Sequence, residues 1–239
     1  MGKNHIIRMA APKTWHIRRD LDKFVTKPAR GPHRLSASMP LGVVLTEIMG
    51  YADTKREAKK ILNSGEVKVD GTVRRDIRFP VGIFDTVEFP SINEQFRVIL
   101  DGSGRIGIVR IKKDESLIKP CKITGKRMVK GKIQLNLYDG RNIFVENNSY
   151  KVGGTLMLSV PEHKITMHLK LDKKSAIFLT GGKHTGEIGV VEDIVENRIV
   201  YKDRKGDLIQ TSKRYAFVIG DGKPLITIVS NEPDEKYKN

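Results

Sequence analysis

The sequence predicts an α+β, multi-domain protein, and three observations carry that expectation. A basic head containing several prolines lacks regularly spaced apolar residues. A stretch after Pro40 reads as two short helices and a hairpin, and the remainder is a succession of short β-type runs. At roughly 100 to 200 residues per domain, 239 residues accommodate two or three compact units. The expected division is a basic N-terminal extension over 1–40, a small α/β-hairpin module over 41–92, a central β-rich domain over 93–172, a terminal unit over 173–232 and a tail over 233–239.

Charge narrows the class of partner. Lys and Arg total 44 against 28 Asp and Glu, a net charge of +16 that exceeds what solubility requires and points to a polyanion. The surplus is local. Residues 1–40 hold nine basic residues against two acids and 91–170 hold fifteen against seven, whereas 41–90 balance at eight each and 171–239 carry twelve against eleven. No apolar run approaches the ~20 residues of a membrane helix, and no apolar signal region follows the basic start, so a soluble intracellular protein is expected. Cys121 is the single cysteine, which excludes an internal disulfide and a Cys-rich zinc site. The six histidines (His5, His16, His33, His163, His168 and His184) show no ligand spacing, and no metal or cofactor is expected.

The head, residues 1 to about 38, is expected to order only against a partner, because it offers no periodic core. Within it, Trp15 beside His16, with Arg18 and Arg19, combines a stacking surface with phosphate-binding charge. From Pro40, Leu41, Val44, Leu45, Ile48 and Met49 form the stripe of an amphipathic helix that Gly50 ends. Thr54-Lys55-Arg56-Glu57 is a capping box that starts a second helix. At about 100° per residue its Lys55, Arg56, Lys59 and Lys60 share one face, while Ala58, Ile61 and Leu62 point the other way. Asn63-Ser64-Gly65 closes the helix, and Val67 and Val69 then alternate with polar residues up to the hairpin dipeptide Asp70-Gly71. Further on, Phe96 to Leu100, Ile106 to Ile111, Ile133 to Leu137, Thr155 to Val160 and Ile165 to Leu171 read as strands of small barrels or sheets.

Helix, turn, basic helix and the strand and turn Gly65-Glu66-Val67-Lys68-Val69-Asp70-Gly71 resemble the S-four RNA-binding module over about residues 41–90. That resemblance implies contact between the basic helix, the nearby strand and RNA backbone. Thr180-Gly181-Gly182-Lys183-His184-Thr185-Gly186-Glu187-Ile188-Gly189-Val190-Val191 is similar to the KOW motif, which implies an SH3-like barrel. Taken in order, the head with Ala11-Pro12-Lys13, Trp15 and Gly31-Pro32-His33, the S-four-like module, the basic β-region and the KOW-like segment resemble the archaeal and eukaryotic S-four-e family of small-subunit ribosomal proteins. The short tail suits an archaeal member. The resemblance implies a non-catalytic constituent of the small ribosomal subunit in the cytoplasm, with ribosomal RNA and neighbouring subunit proteins as partners.

Three chemical readings compete with this one. Gly102-Ser103-Gly104-Arg105-Ile106-Gly107 fits a dinucleotide fingerprint, but strand-type residues follow where a helix is needed, so a plain hairpin is expected. Gly181-Gly182-Lys183 is followed by His184 rather than the Ser or Thr of a P-loop. A pseudouridine synthase would share the S-four module, yet Arg75-Asp76 sits inside the module rather than in a large catalytic domain. A KOW-containing transcription factor would need a polymerase-binding domain that no segment resembles.

The residues expected to meet RNA are Arg8, Lys13, Trp15, His16, Arg18, Arg19, Lys27, Arg30, His33 and Arg34 in the head. On the module they are Lys55, Arg56, Lys59, Lys60, Arg74, Arg75 and Arg78. Lys112, Lys113, Lys126 and Arg127, drawn from a wider basic set with Lys119, Lys122, Lys130 and Lys132, are the central candidates, and Lys183 and His184 those of the terminal unit.

Overall fold

The computed structural model describes residues 4–146 and 148–228. The expected tail and the last residues of the terminal unit lie outside the described residues. No helix among the described residues is long and apolar enough to cross a membrane.

The head packs where the sequence predicts an arm that orders only on a partner. β1 (His5–Ile7) and β2 (Phe24–Thr26) form an antiparallel pair, and β3 (Ser38–Pro40) pairs with a strand 40 residues further on. Trp15 is 1% exposed, bridges in parallel to Ile106 and donates its indole N–H to Ser38 O at 2.7 Å. Ala11 and Val25 join the same core. The apolar residues of this segment follow no helical or strand period because the chain wraps over a core made by other elements, so periodicity is blind to them.

The next segment follows its sequence signals closely. α1 (Leu41–Val43) passes into a π-helical turn, Val44–Ile48, whose apolar stripe is buried, and Gly50 at φ +65° breaks the run. α2 (Lys55–Ser64) starts at the expected box: the Glu57 N–H donates to Thr54 Oγ1 at 3.2 Å, and Glu57 Oε2 accepts from the Asp53 and Thr54 amides. It ends at Gly65, φ +81°, in the left-handed conformation that glycine adopts without penalty. β4 (Lys68–Val69) and β5 (Thr72–Val73) flank a tight turn with Asp70 and Gly71 both at positive φ. β6 (Pro80–Gly82) is the partner of β3, and β7 (Thr86–Phe89) returns to β4.

The sheet that holds β4 and β7 continues past residue 92. β8 (Glu94–Leu100) pairs with β7, and β9 (Ile106–Arg110) pairs with β8, giving one sheet in the order β5-β4-β7-β8-β9. Pro90–Ile92 forms a 3₁₀ turn inside the β7–β8 connection. The glycine fingerprint is the β8–β9 turn, with Asp101 Oδ1 accepting the Ser103 and Arg105 amides.

After the short α3 (Lys113–Ser116), β10 (Ile118–Val129), β11 (Lys132–Leu137), β12 (Asn142–Val145), β13 (Thr155–Ser159) and β14 (Ile165–Leu169) form an antiparallel sheet in the order β12-β11-β10-β13-β14. It encloses a small core of its own around Ile123, Leu135, Leu156 and Leu158. The last sheet consists of β15 (Ser175–Leu179), β16 (Ile188–Val195), β17 (Arg198–Asp203), β18 (Leu208–Ser212) and β19 (Ala216–Asp221), in the order β18-β17-β16-β15-β19. Its core is continuous with that of the helical module, since Phe84 packs on Phe178 and Phe217 with ring centroids 5.5 and 4.5 Å apart.

Candidate nucleic-acid interface

Burial of Ala58 and Leu62 fixes the roll of α2, and that roll turns Lys55, Arg56, Lys59 and Lys60 to solvent. Among the described residues none of these four has a carboxylate partner. Glu57, the acid in their midst, is spoken for: the Asp53 amide, then Thr54, hold its carboxyl below its ordinary value and in the cap. Exposed cations that no acid neutralises are the groups that can exchange counterions for phosphates. Arg75, exposed, lays its guanidinium against Gly65 and extends the face past the helix end. Arg74 stacks over the Phe79 ring at 4.4 Å, and Arg78 donates to Lys27 O at 3.3 Å, so both are partly engaged in the fold. Asp76 accepts the Arg78 N–H at 2.8 Å, a turn-stabilising bond.

Several head residues expected at an RNA surface are structural instead. Trp15 lies in the core with its indole N–H satisfied, so its ring offers no platform for a base. Arg8 is 6% exposed; it pairs with Glu47 at 2.7 Å and donates to Arg18 O and Asp22 O. Arg19 donates to the carbonyls of Arg8, Met9, Ala11 and Pro12. His33 is 8% exposed, its Nε2 2.9 Å from both oxygens of Asp85. These groups tie down a segment that has few apolar residues to bury. Arg18 is exposed but paired with Asp20; His16 and Lys27 are half-buried; Lys13, Arg30 and Arg34 remain on the surface.

In the central sheet Lys112, Lys113 and Arg127 are exposed, as are Lys130 and Lys132 at the β10–β11 turn, while Lys126 donates to Asn148 and to Tyr150 O. Lys122 is no surface lysine: its Nζ donates to the carbonyls of Lys213, Arg214 and Ala216, and burial, aided by Lys213, pulls its pKa down to about 8. In the terminal unit Lys183 is exposed, whereas His184 Nδ1 lies 3.0 Å from Glu187.

Lys119, counted among the basic surface residues from sequence, is 1% exposed. Its Nζ donates to Asp70 Oδ2 at 2.6 Å and to Asp85, and lies 3.6 Å from Asp139; Arg141 reaches Asp70 and Asp139 from the rim. His33 completes the cluster through Asp85. Head, helical module and central sheet therefore meet on one buried set of charges. No local motif announces it, because its members stand 34 to 52 positions apart in the pairs Lys119–Asp85, Lys119–Asp70 and His33–Asp85. Among the described residues no group of His, Cys, Asp and Glu has a metal-binding arrangement.

The chain matches the sequence profiles of the RS4NT (NUC023) domain over residues 1–36, the S4 domain over 39–87 and the Ribosomal family S4e over 92–165. It is 40% identical to the small ribosomal subunit protein eS4 of Methanococcus aeolicus and to that of Methanocaldococcus jannaschii, in each case over 95% of this chain and 98% of the relative. The protein of the same name from Methanosphaera stadtmanae is 41% identical over 96% of this chain and 98% of its own. Among solved structures, the crystal structure of the 30S ribosomal protein S4e from Thermoplasma acidophilum superposes with a TM-score of 0.66 at 30% identity, covering 81% of this chain and 98% of that one. The chain belongs to the S4e family of ribosomal proteins.

Proposed function

We propose that this chain is a structural, non-catalytic constituent of the small ribosomal subunit in the cytoplasm, where it binds ribosomal RNA beside neighbouring subunit proteins and stabilises its folded arrangement. The observation that carries the reading is the α2 face: four exposed cations in register on a capped helix, unpaired by acids among the described residues, with Arg75 continuing the patch. Such a face suits helical RNA, which proteins grip through phosphates and 2′-hydroxyls rather than base edges. Lys13, Arg30, Lys112, Lys113 and Arg127 supply further exposed charge for the same polyanion. The five-stranded terminal sheet, with its Gly181-Gly182 turn pressed on Tyr215, is read as the SH3-like barrel that goes with a KOW segment.

Binding of the full chain to a small-subunit RNA transcript tests the reading. If six to ten phosphates are neutralised, affinity falls by about 10³ to 10⁵ between 50 and 200 mM salt. Arg56→Glu with Lys60→Glu, both outside the buried stripe, should weaken binding at least tenfold and reduce the salt slope by about 2 at an unchanged melting temperature. A salt-independent affinity, or full affinity in the folded double variant, contradicts the reading.

A further inference from the structure

Away from α2, four segments close around a cleft of about 900 Å³: the end of the head, the β8–β9 turn, the turn after β11, and the β15–β16 loop with the residues before β19. Among the described residues three cations line it, Arg34, Lys183 and Arg214, and no acidic residue does. Arg34 and Lys183 are exposed and make no ion pair or side-chain hydrogen bond among the described residues; Arg214 stacks over Tyr215 at 4.6 Å and also lacks a carboxylate. The cleft on the other side of the β8–β9 turn, about 590 Å³, makes the contrast: there Arg105 and Arg204 are matched by Asp101, Glu187 and Asp203. Three like charges gathered in a concave wall without counter-charges repel one another, and an anion relieves that repulsion.

One wall is also bare: Gly102 has open space where a side chain would project, so a ligand can approach main chain there, whereas Gly181 and Gly182 are packed against Tyr215. Tyr215, already covered by Gly181 and Arg214, offers no free face for a base, which favours recognition of backbone over recognition of bases. A cleft of this size takes ligands of a few nucleotides at most, whereas a duplex presents its phosphates to an outer surface.

We infer that this cleft is a second RNA contact, one that takes the phosphate–ribose backbone of an unpaired strand. The inference rests on the RNA-binding reading above, but the two surfaces share no residue and fail separately. The full chain is titrated with an oligouridylate of about twelve nucleotides and, in parallel, with a blunt RNA duplex. Arg34→Ala, Lys183→Ala and Arg214→Ala combined should weaken oligouridylate binding at least tenfold and lower its salt slope by about 2, at about 0.7 per lost phosphate contact, with duplex binding unchanged within about twofold. Arg56→Glu with Lys60→Glu should reverse that pattern. If the triple variant melts early, Arg34→Ala with Lys183→Ala carries the test, with a slope change of about 1.4. Oligouridylate binding that survives these substitutions, or a wild-type chain that ignores the oligomer, overturns the cleft while leaving the α2 reading standing, provided that duplex binding still depends on Arg56 and Lys60. Loss of both dependences overturns both.

Discussion

Lys119 is the residue on which three parts of the molecule converge. Burial alone would discharge it, but Asp85 and Asp70 outweigh that effect and hold its pKa above the ordinary lysine value. Burial would likewise raise Asp85, yet His33 and then Lys119 keep that carboxyl well below the usual range. A carboxylate held below its unfolded value contributes stability that is fully present above about pH 4 and is lost as pH falls further; the raised Lys119 contributes below about pH 10.5 and loses its share only in stronger alkali. Lys119→Met should therefore cost about 3–5 kcal/mol in urea denaturation at pH 7, because it strands buried carboxylates. Asp85→Asn should be destabilising at pH 7 by an amount that shrinks as pH drops from 5 to 3. A Lys119→Met protein within about 1 kcal/mol of wild type would show that the cluster is not the tie described.

α2 is the element on which the sequence was most legible. Its start, its end and its two faces all follow from local rules: a Thr and a Glu three residues apart, a glycine after the last turn, and apolar residues on one side of a 3.6-residue period. The box holds a helix of only ten residues, so it carries a noticeable share of the local stability. Thr54→Ala should lower stability by about 1 kcal/mol in equilibrium urea unfolding while leaving the salt slope of RNA binding unchanged, since no phosphate contact is removed. A slope that moved with stability would mean that the cap contributes to binding directly. The β8–β9 hairpin was readable as strands but not as an extension of the β4–β7 sheet, because a strand's turn signals say where it ends and not which neighbour it joins. The long β10 escaped for a related reason: Lys119, Pro120 and Lys122 interrupt its apolar pattern, although those lysines are buried, Lys119 on carboxylates and Lys122 on main-chain carbonyls.

Across the whole molecule, the head acts as packing material more than as an arm. The chain has a single tryptophan, so its fluorescence reports on Trp15 alone. In the RNA-free protein the emission should be blue-shifted and poorly quenched by acrylamide, and RNA should change it little. Trp15→Ala should cost about 3–5 kcal/mol in a thermal or urea melt. A red, easily quenched emission that shifts on RNA binding would instead restore the stacking role that the sequence suggested. With the head docked, fewer cations are available to RNA than composition implies, because Arg8 and Arg19 are committed to Glu47 and to main-chain carbonyls.

The sequence by itself determined the basic surplus and its placement, the two faces of α2, the Asp70-Gly71 turn and several of the strands, because each depends on residues within a turn or two of one another. Only the tertiary structure decided which positive groups face solvent. Lys119, Lys122, Arg8 and His33 look in sequence like Arg34 and Lys183, and what separates them is a carboxylate or a carbonyl brought from tens of residues away. Burying a charge is costly unless it is paired, so the pairing decides whether a cation becomes part of the core or remains free to meet a phosphate.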